Sequence, residues 1–176
     1  METGNDSQQI VRQLIREHGN AIYNFIARMV TSRTDAEELA QDTFVKAYHS
    51  WDSYDPDKSS VRTWLCLIAY RLSLNHLRRK RPSVVSIDEA LPDDSVSDEA
   101  LDAGLSTGLQ RRIDTMNRAI GLLSPDEQTL LTLYYHEGLP LADIAFIMES
   151  RPMPLANRLY RIRKKLYRLI QQMENH

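Results

Sequence analysis

Cysteine, glycine and proline are scarce in this sequence, and each scarcity removes a class of protein. Of 176 residues, one is cysteine, six are glycine and seven are proline. A lone Cys66 forms no internal disulfide, which excludes a stapled secreted scaffold. Its neighbours Leu65, Leu67 and Ile68 predict a buried, reduced thiol. With so few breakers between runs of good helix formers, the expected fold class is all-α. No apolar run reaches the roughly 18 residues of a membrane span, and the start, METGNDSQQ, has no signal-peptide core. These absences predict a soluble, cytoplasmic protein with no membrane insertion. Metal-ligand spacing and nucleophile arrangements are missing too: Cys66, His49 and His136 lie far apart, so no catalytic residue, metal or cofactor is expected and an enzyme is disfavoured.

Acid is absent where base is dense. RTWLCLIAYRLSLNHLRRKR, Arg62 to Arg81, holds six Lys and Arg and no Asp or Glu, within a chain whose formal net charge is -2. From Ser150 to His176 seven bases face only Glu174. Between the two, Asp88, Glu89, Asp93, Asp94, Asp98, Glu99 and Asp102 stand without a base. Two cationic segments thus flank an anionic spacer, and local fields of this kind steer polyanions whatever the total charge.

Periodicity divides the chain. Residues 1–9 are expected to be a disordered N-terminus. Ile10 to Thr31 has helical spacing with a break near His18-Gly19. Asp35 with Glu38 reads as a capping box opening the next helix. Along it Ala36, Leu39, Ala40, Phe44, Ala47 and Trp51 share one face; Glu38, Gln41, Asp42, Val45 and His49 share the other. Tyr54 to Ser60 reads as a loop. In the basic helix that follows, Val61, Leu65, Ile68 and Leu72 form a core stripe, Arg71, Asn75 and Arg78 lie on one flank, and Pro82 ends it. Residues 83–110 read as a flexible linker. Then come an amphipathic stretch (Ile113, Met116, Ile120, Leu123), a Ser124-Pro125-Asp126-Glu127 helix start, a stop at Glu137-Gly138, a short helix Leu141 to Met148, and a long basic helix starting at Pro152 or Pro154. Two small helical domains, 10–82 and 111–176, are the expected architecture.

The short helix, tight break and basic helix with Asn157, Arg158, Arg161 and Arg163 have the outline of a helix-turn-helix, whose second helix enters the major groove. A helical hairpin with a solvated basic face fits the same residues. In the N-terminal basic helix, Trp64, Tyr70 and His76 beside the arginines suit stacking on unpaired bases. Trp64 and Tyr70 equally suit a core.

Order and spacing add a resemblance. DAEELAQDTFVKAYHSWDSYDPDKSSVRTWLCLIAYRLSLNHLRRKR resembles the second conserved region of bacterial RNA polymerase sigma factors of the extracytoplasmic-function group. LSPDEQTLLTLYYHEGLPLADIAFIM with NRLYRIRKKLYRLI resembles their fourth region. The resemblance implies that Glu38, Gln41, Asp42, Val45 and His49 dock on the β′ coiled coil of core RNA polymerase. It implies that the first domain recognises and melts the −10 promoter element, with Tyr54, Lys58, Ser59, Ser60, Arg62, Trp64, Arg71, Asn75, Arg78 and Arg79 on DNA. It implies −35 recognition by Arg151, Met153, Leu155, Asn157, Arg158, Arg161 and Arg163, contact with the β flap, a linker threaded through the polymerase channel, and an anti-sigma factor as a controlling partner. One departure stands out. Where the family's turn usually has Gly and an apolar residue, this chain has Glu149-Ser150, followed by Arg151-Pro152-Met153-Pro154. A start at Pro154 would shorten the groove-reading end. The rival reading is a stand-alone helix-turn-helix transcription regulator, which would need a sensor domain or a dimer interface.

Overall fold

The computed structural model describes residues 3–80 and 106–175, and among these the protein is all-helical. Seven α-helices follow in order: α1 Thr3–Ala27, α2 Arg33–His49, α3 Val61–Lys80, α4 Ser106–Gly121, α5 Pro125–Leu131, α6 Leu141–Ile147 and α7 Pro152–Glu174. A 3-10 turn, Trp51–Ser53, leads out of α2, and a π turn, Thr132–His136, follows α5. Most of the spacer, with its seven carboxylates, lies outside the described residues.

Helices α1, α2 and α3 pack into the first bundle. Ile22, Phe25 and Ile26 of α1 are fully buried against Ala36, Leu39, Phe44 and Ala47 of α2 and Leu65 of α3. The expected break at Gly19 is absent, and α1 already runs from Thr3, ahead of the start foreseen near Ile10. A mid-helix glycine costs up to about 1 kcal/mol. Each large apolar side chain buried along α1 returns about 1.5–3 kcal/mol, so the helix continues.

The cap of α2 also differs from expectation. Ser32, not Asp35, is the N-cap, its hydroxyl accepting from the Asp35 amide at 3.3 Å. The Ser-x-x-Asp pattern one turn earlier leaves the Asp35 carboxylate free to reach α3, where it meets His76 Nε2 at 3.1 Å and the Lys80 ammonium. The Lys80 hydrogen bond, followed by that of His76, holds Asp35 below the usual carboxylate range.

The second bundle comprises α4 to α7. Helix α4 starts at Ser106, so the last residues of the expected linker are helical. The Ser124 capping box forms in both directions, with the Glu127 amide donating to Ser124 Oγ at 3.3 Å and the Ser124 amide to Glu127 Oε2 at 2.8 Å. Burial, the largest influence on Glu127, raises its pKa. The Lys165 ammonium at 2.9 Å and the Ser124 amide outweigh it and keep the group ionised below its ordinary value. Gly138, at φ 61°, turns the chain after the π turn, a conformation that glycine adopts without a Cβ penalty. Leu130, Leu133, Ile144, Ile147, Leu155, Leu159 and Ile162 form this core.

The two bundles are docked, not merely tethered. Helix α6 lies against α3, and one apolar cluster runs through both. The single core stripe expected on α3 is therefore too narrow. Thr63, Leu65, Cys66, Leu67, Ile68, Ala69, Tyr70 and Ser73 are all buried, because α1 and α2 cover one side and α6 the other. Val61 and Leu72, placed on the stripe, are only half-buried.

Candidate nucleic-acid interface

The loop between α2 and α3 is built before any ligand arrives. Trp51, Tyr54 and Trp64 form an aromatic cluster: Trp51 and Tyr54 stack with ring centroids 5.4 Å apart, while Trp64 meets Tyr54 at a tilt (5.1 Å) and Trp51 edge-on (6.0 Å). The Tyr54 hydroxyl donates to the Ser59 carbonyl at 3.0 Å, tying the two ends of the loop together. Ser60 Oγ accepts from the Thr63 amide at 3.2 Å and fixes the start of α3. Within the loop the Asp57 amide donates to Asp55 Oδ1 at 3.0 Å, and Lys58 pairs with Asp55 at 3.3 Å.

This geometry corrects part of the sequence reading. Ser59 is 9 % exposed, so little of its surface faces an outside strand. Tyr54 and Trp64 are half-buried in the aromatic cluster and shape the loop more than they line its outer surface. The loop's exposed tip is Pro56, Asp57 and Lys58.

From the loop, α3 carries a polar flank. Arg71, Asn75 and Arg78 are exposed at successive helical steps, with Arg79 beside them. Arg62 is not on this open flank: its Nη2 donates to the Glu137 carbonyl at 3.0 Å and to Glu137 Oε2 at 2.6 Å. Arg71 reaches the Glu149 carboxylate. His76 and Lys80 belong to Asp35.

On α2, the face expected to dock a protein is intact. Glu38, Gln41, Asp42, Val45 and His49 are all exposed, Val45 at 55 %. Beside it an apolar groove of about 950 Å³ runs between α1 and α2, lined by Val11, Ile15, Phe44, Val45 and Tyr48.

Helices α6 and α7 form the helix-turn-helix. Helix α7 starts at Pro152 with Arg151 as N-cap, and Pro154 is accommodated within the first turn, so the groove-reading end keeps its full length. Met153, Asn157 and Arg161 project outward with Arg151. Three expected contacts are spent elsewhere. Leu155 is 2 % exposed and packs into the core. Arg158 pairs with Asp126 at 3.7 Å. Arg163 lies over the Tyr134 and Tyr135 rings and donates to the Tyr135 hydroxyl at 2.8 Å. Sequence reasoning passed over Tyr160 and counted Lys164 only among the basic residues of the helix; the two share the outer face, with the Lys164 ammonium 4.9 Å from the Tyr160 ring centroid. Counting three and seven residues on from Asn157 finds both. A groove of about 660 Å³ opens beyond the Arg163 cluster, lined by Met116, Ile120, Leu131, Tyr135, Leu166 and Tyr167.

Cys66, 1 % exposed, is inert by construction. Burial first, then the nearby Glu137 carboxylate, pushes its thiol up to about 12, against a smaller opposing effect of Arg62. The thiolate is the reactive form. Ellman's reagent at pH 8 should therefore label native Cys66 roughly a thousandfold more slowly than the urea-unfolded chain. Equal rates would show that the site opens readily.

With this geometry in view, comparison with known proteins is direct. Residues 14–82 match the family described as Sigma-70 region 2, and residues 113–166 match Sigma-70, region 4. The chain is 30% identical over 173 residues to the RNA polymerase sigma-H factor of Pseudomonas aeruginosa, covering 91% of this chain and 86% of that one. It is 26% identical over 184 residues to the ECF RNA polymerase sigma factor SigW of Bacillus subtilis, covering 94% and 91%. Among solved structures, the sigma factor RpoE of Bartonella quintana, crystallised with the anti-sigma factor NepR, shares the fold at a TM-score of 0.66 and 22% identity over 91% of this chain and 96% of that one.

Proposed function

The chain belongs to the extracytoplasmic-function group of RNA polymerase sigma factors, and we propose how its two bundles divide the work of starting transcription. As a sigma factor it binds core RNA polymerase, recognises −10 and −35 promoter elements, opens the duplex and directs initiation. It is not an enzyme itself. The polymerase supplies the chemistry; the sigma factor supplies position.

The observation that carries this reading is the presence of both region matches, in order, on one chain whose polar helix faces are exposed. The bundle of α1 to α3 is the −10 domain, the bundle of α4 to α7 is the −35 domain, and the residues between α3 and α4 are the linker. The exposed face of α2, from Glu38 to His49, docks the β′ coiled coil. The tip of the 54–60 loop takes an unpaired base, and the α3 flank follows the melted strand. Melting draws on binding energy: a base held out of the stack shifts the duplex toward open. Arg151, Met153, Asn157 and Arg161 of α7, with Tyr160 and Lys164, meet the −35 element. Met153 offers a thymine methyl an apolar contact, Asn157 reads a base edge, and Arg161 and Lys164 hold phosphate. The apolar groove over Leu166 and Tyr167 seats the β flap. No helix among the described residues is long and apolar enough to cross a membrane, and the protein works in the cytoplasm, where its polymerase is. An anti-sigma factor, as captured with the Bartonella relative, is the natural controller.

Run-off transcription with core polymerase on a randomised promoter pool tests the reading. Transcripts initiated from selected −10 and −35 sequences are expected. Duplex binding without core enzyme, and no transcript with it, would instead identify a stand-alone regulator.

Two substitutions separate reading from gripping. Arg78→Ala should weaken promoter binding evenly across sequences and reduce the slope of log affinity against log salt by about 1. Asn75→Ala should change the preference at one promoter position, by about 1–3 kcal/mol between bases. An unchanged ranking of single-base promoter variants would remove Asn75 from the base-reading set.

A further inference from the structure

The polar flank of α3 ends on the least supported part of that helix. Ser73 is its last buried residue. Beyond it Leu74 and Leu77 are half-buried against the core, while Asn75, Arg78, Arg79 and Lys80 are exposed. A side chain that reads a base edge must be held within about 0.5 Å of its working position. Two half-buried leucines alone give a helix end little resistance to rolling or tilting.

A second restraint comes from α2. Asp35 Oδ2 meets His76 Nε2 at 3.1 Å and accepts a hydrogen bond from the Lys80 ammonium. His76 and Lys80 are four positions apart and so stand on one face of α3. That face lies roughly 150° round the helix from the row of Arg71, Asn75 and Arg78. One carboxylate oxygen therefore grips two donors about a turn apart along the axis, from behind the reading surface. Such a grip restrains roll and tilt together. Asp35 is well placed for it: its side chain is 17 % exposed, and with Ser32 capping α2 the carboxylate has no capping duty.

The same contact also removes a charge from the strand's reach. Lys80 is exposed and adjoins Arg79, and its flexible stem is long enough to swing toward a backbone lying along Arg78 and Arg79. Paired with Asp35, it stays on the α2 side. Phosphate contacts raise affinity for every sequence alike and carry no sequence information. Holding Asn75 in register while withholding one cation therefore shifts the balance from gripping toward reading.

We propose that Asp35 is a positioning residue for −10 recognition, which fixes the reading end of α3 and keeps Lys80 off the strand. The proposal deepens the reading of α3 as the strand-following helix and rests on it.

Holoenzyme reconstituted with each variant is titrated, over a range of salt, with single-stranded oligonucleotides carrying the selected −10 sequence or its single-base variants. In Asp35→Asn and Asp35→Ala the slope of log affinity against log salt should steepen by about 0.7, the share of one phosphate contact on a single strand. Discrimination at the position Asn75 reads should fall about threefold. Asp35→Glu, which keeps the charge, should keep the parent slope. Lys80→Gln should leave the slope of the parent in place, and added to Asp35→Asn should return it to the parent value. A base ranking unchanged in both Asp35→Asn and Asp35→Ala would overturn the positioning role. So would binding weakened equally on all sequences at an unchanged slope with a lowered melting temperature, the mark of a residue that serves only the fold. A shallower slope in Lys80→Gln alone would place Lys80 on phosphate already and overturn its withholding. Arg78→Ala tests the reading underneath: an unchanged slope there removes α3 from the strand. A reduced slope in Arg78→Ala beside parent-like Asp35→Asn and Asp35→Ala would fail the Asp35 proposal alone.

Discussion

Val45→Lys should lower affinity for core RNA polymerase about thirtyfold and leave the melting curve of the free protein in place. Val45 is 55 % exposed on α2, a position where a large apolar side chain gains nothing within the fold. It stands between Asp42 and His49 on the exposed face and forms the rim of the groove between α1 and α2. An apolar residue ringed by polar ones at the edge of a groove has the make-up of an interface centre, where a few buried side chains carry about 2 kcal/mol or more each. Lysine is a better helix former than valine, and Asp42 three residues earlier can pair with it, so α2 itself should lose nothing. Core binding is measured by competition against a labelled sigma factor, and thermal unfolding by circular dichroism. Full affinity in Val45→Lys would remove this face from the docking surface. Lost affinity together with a lowered melting temperature would mean that the fold had been damaged instead.

Phe25→Ala should destabilise the −10 domain by about 3–5 kcal/mol. Phe25 is fully buried where α1 meets the rest of the first bundle, and truncation removes most of its contact area while leaving a cavity that Ile22 and Ile26 only partly fill. Domains of this size hold about 5–15 kcal/mol in total, so the variant sits close to unfolding. Urea titration should show the midpoint of the first bundle falling steeply. Ile15→Ala, at an isoleucine 48 % exposed on the same helix, should move it by no more than about 0.5 kcal/mol. If the two substitutions cost the same, the packing assigned to α1 is wrong.

Much of this molecule is set within short stretches of chain. The Ser124-Pro125-Asp126-Glu127 start, the stop at Gly138, the opposing faces of α2 and the outward row Arg71, Asn75 and Arg78 follow from contacts spanning one or two helical turns, and each stands in the structure as the pattern predicts. The family itself is legible for the same reason, since its motifs are local strings in a fixed order. Local patterns also misled where a neighbour outweighed them. Gly19 breaks nothing because the apolar side chains on either side of it are buried against α2 and α3. Asp35 does not cap because Ser32 reaches the amide first.

The partners that sequence reasoning missed are mostly distant in the chain. Leu155 is the exception: Leu159 and Ile162, four and seven positions on, complete an apolar stripe that marks it as core, and it is 2 % exposed. Arg158 and Arg163 look like phosphate ligands until Asp126 and Tyr135, 32 and 28 positions away, claim them. Arg62 meets Glu137 across 75 positions and Arg71 meets Glu149 across 78. A sequence fixes which side chains carry charge and, through helical periodicity, which of them share a face. Whether an exposed cation meets water, DNA or a carboxylate of its own chain depends on the docking of α6 on α3. Tertiary structure alone decides that, because the interacting groups are close only after the chain has folded back on itself.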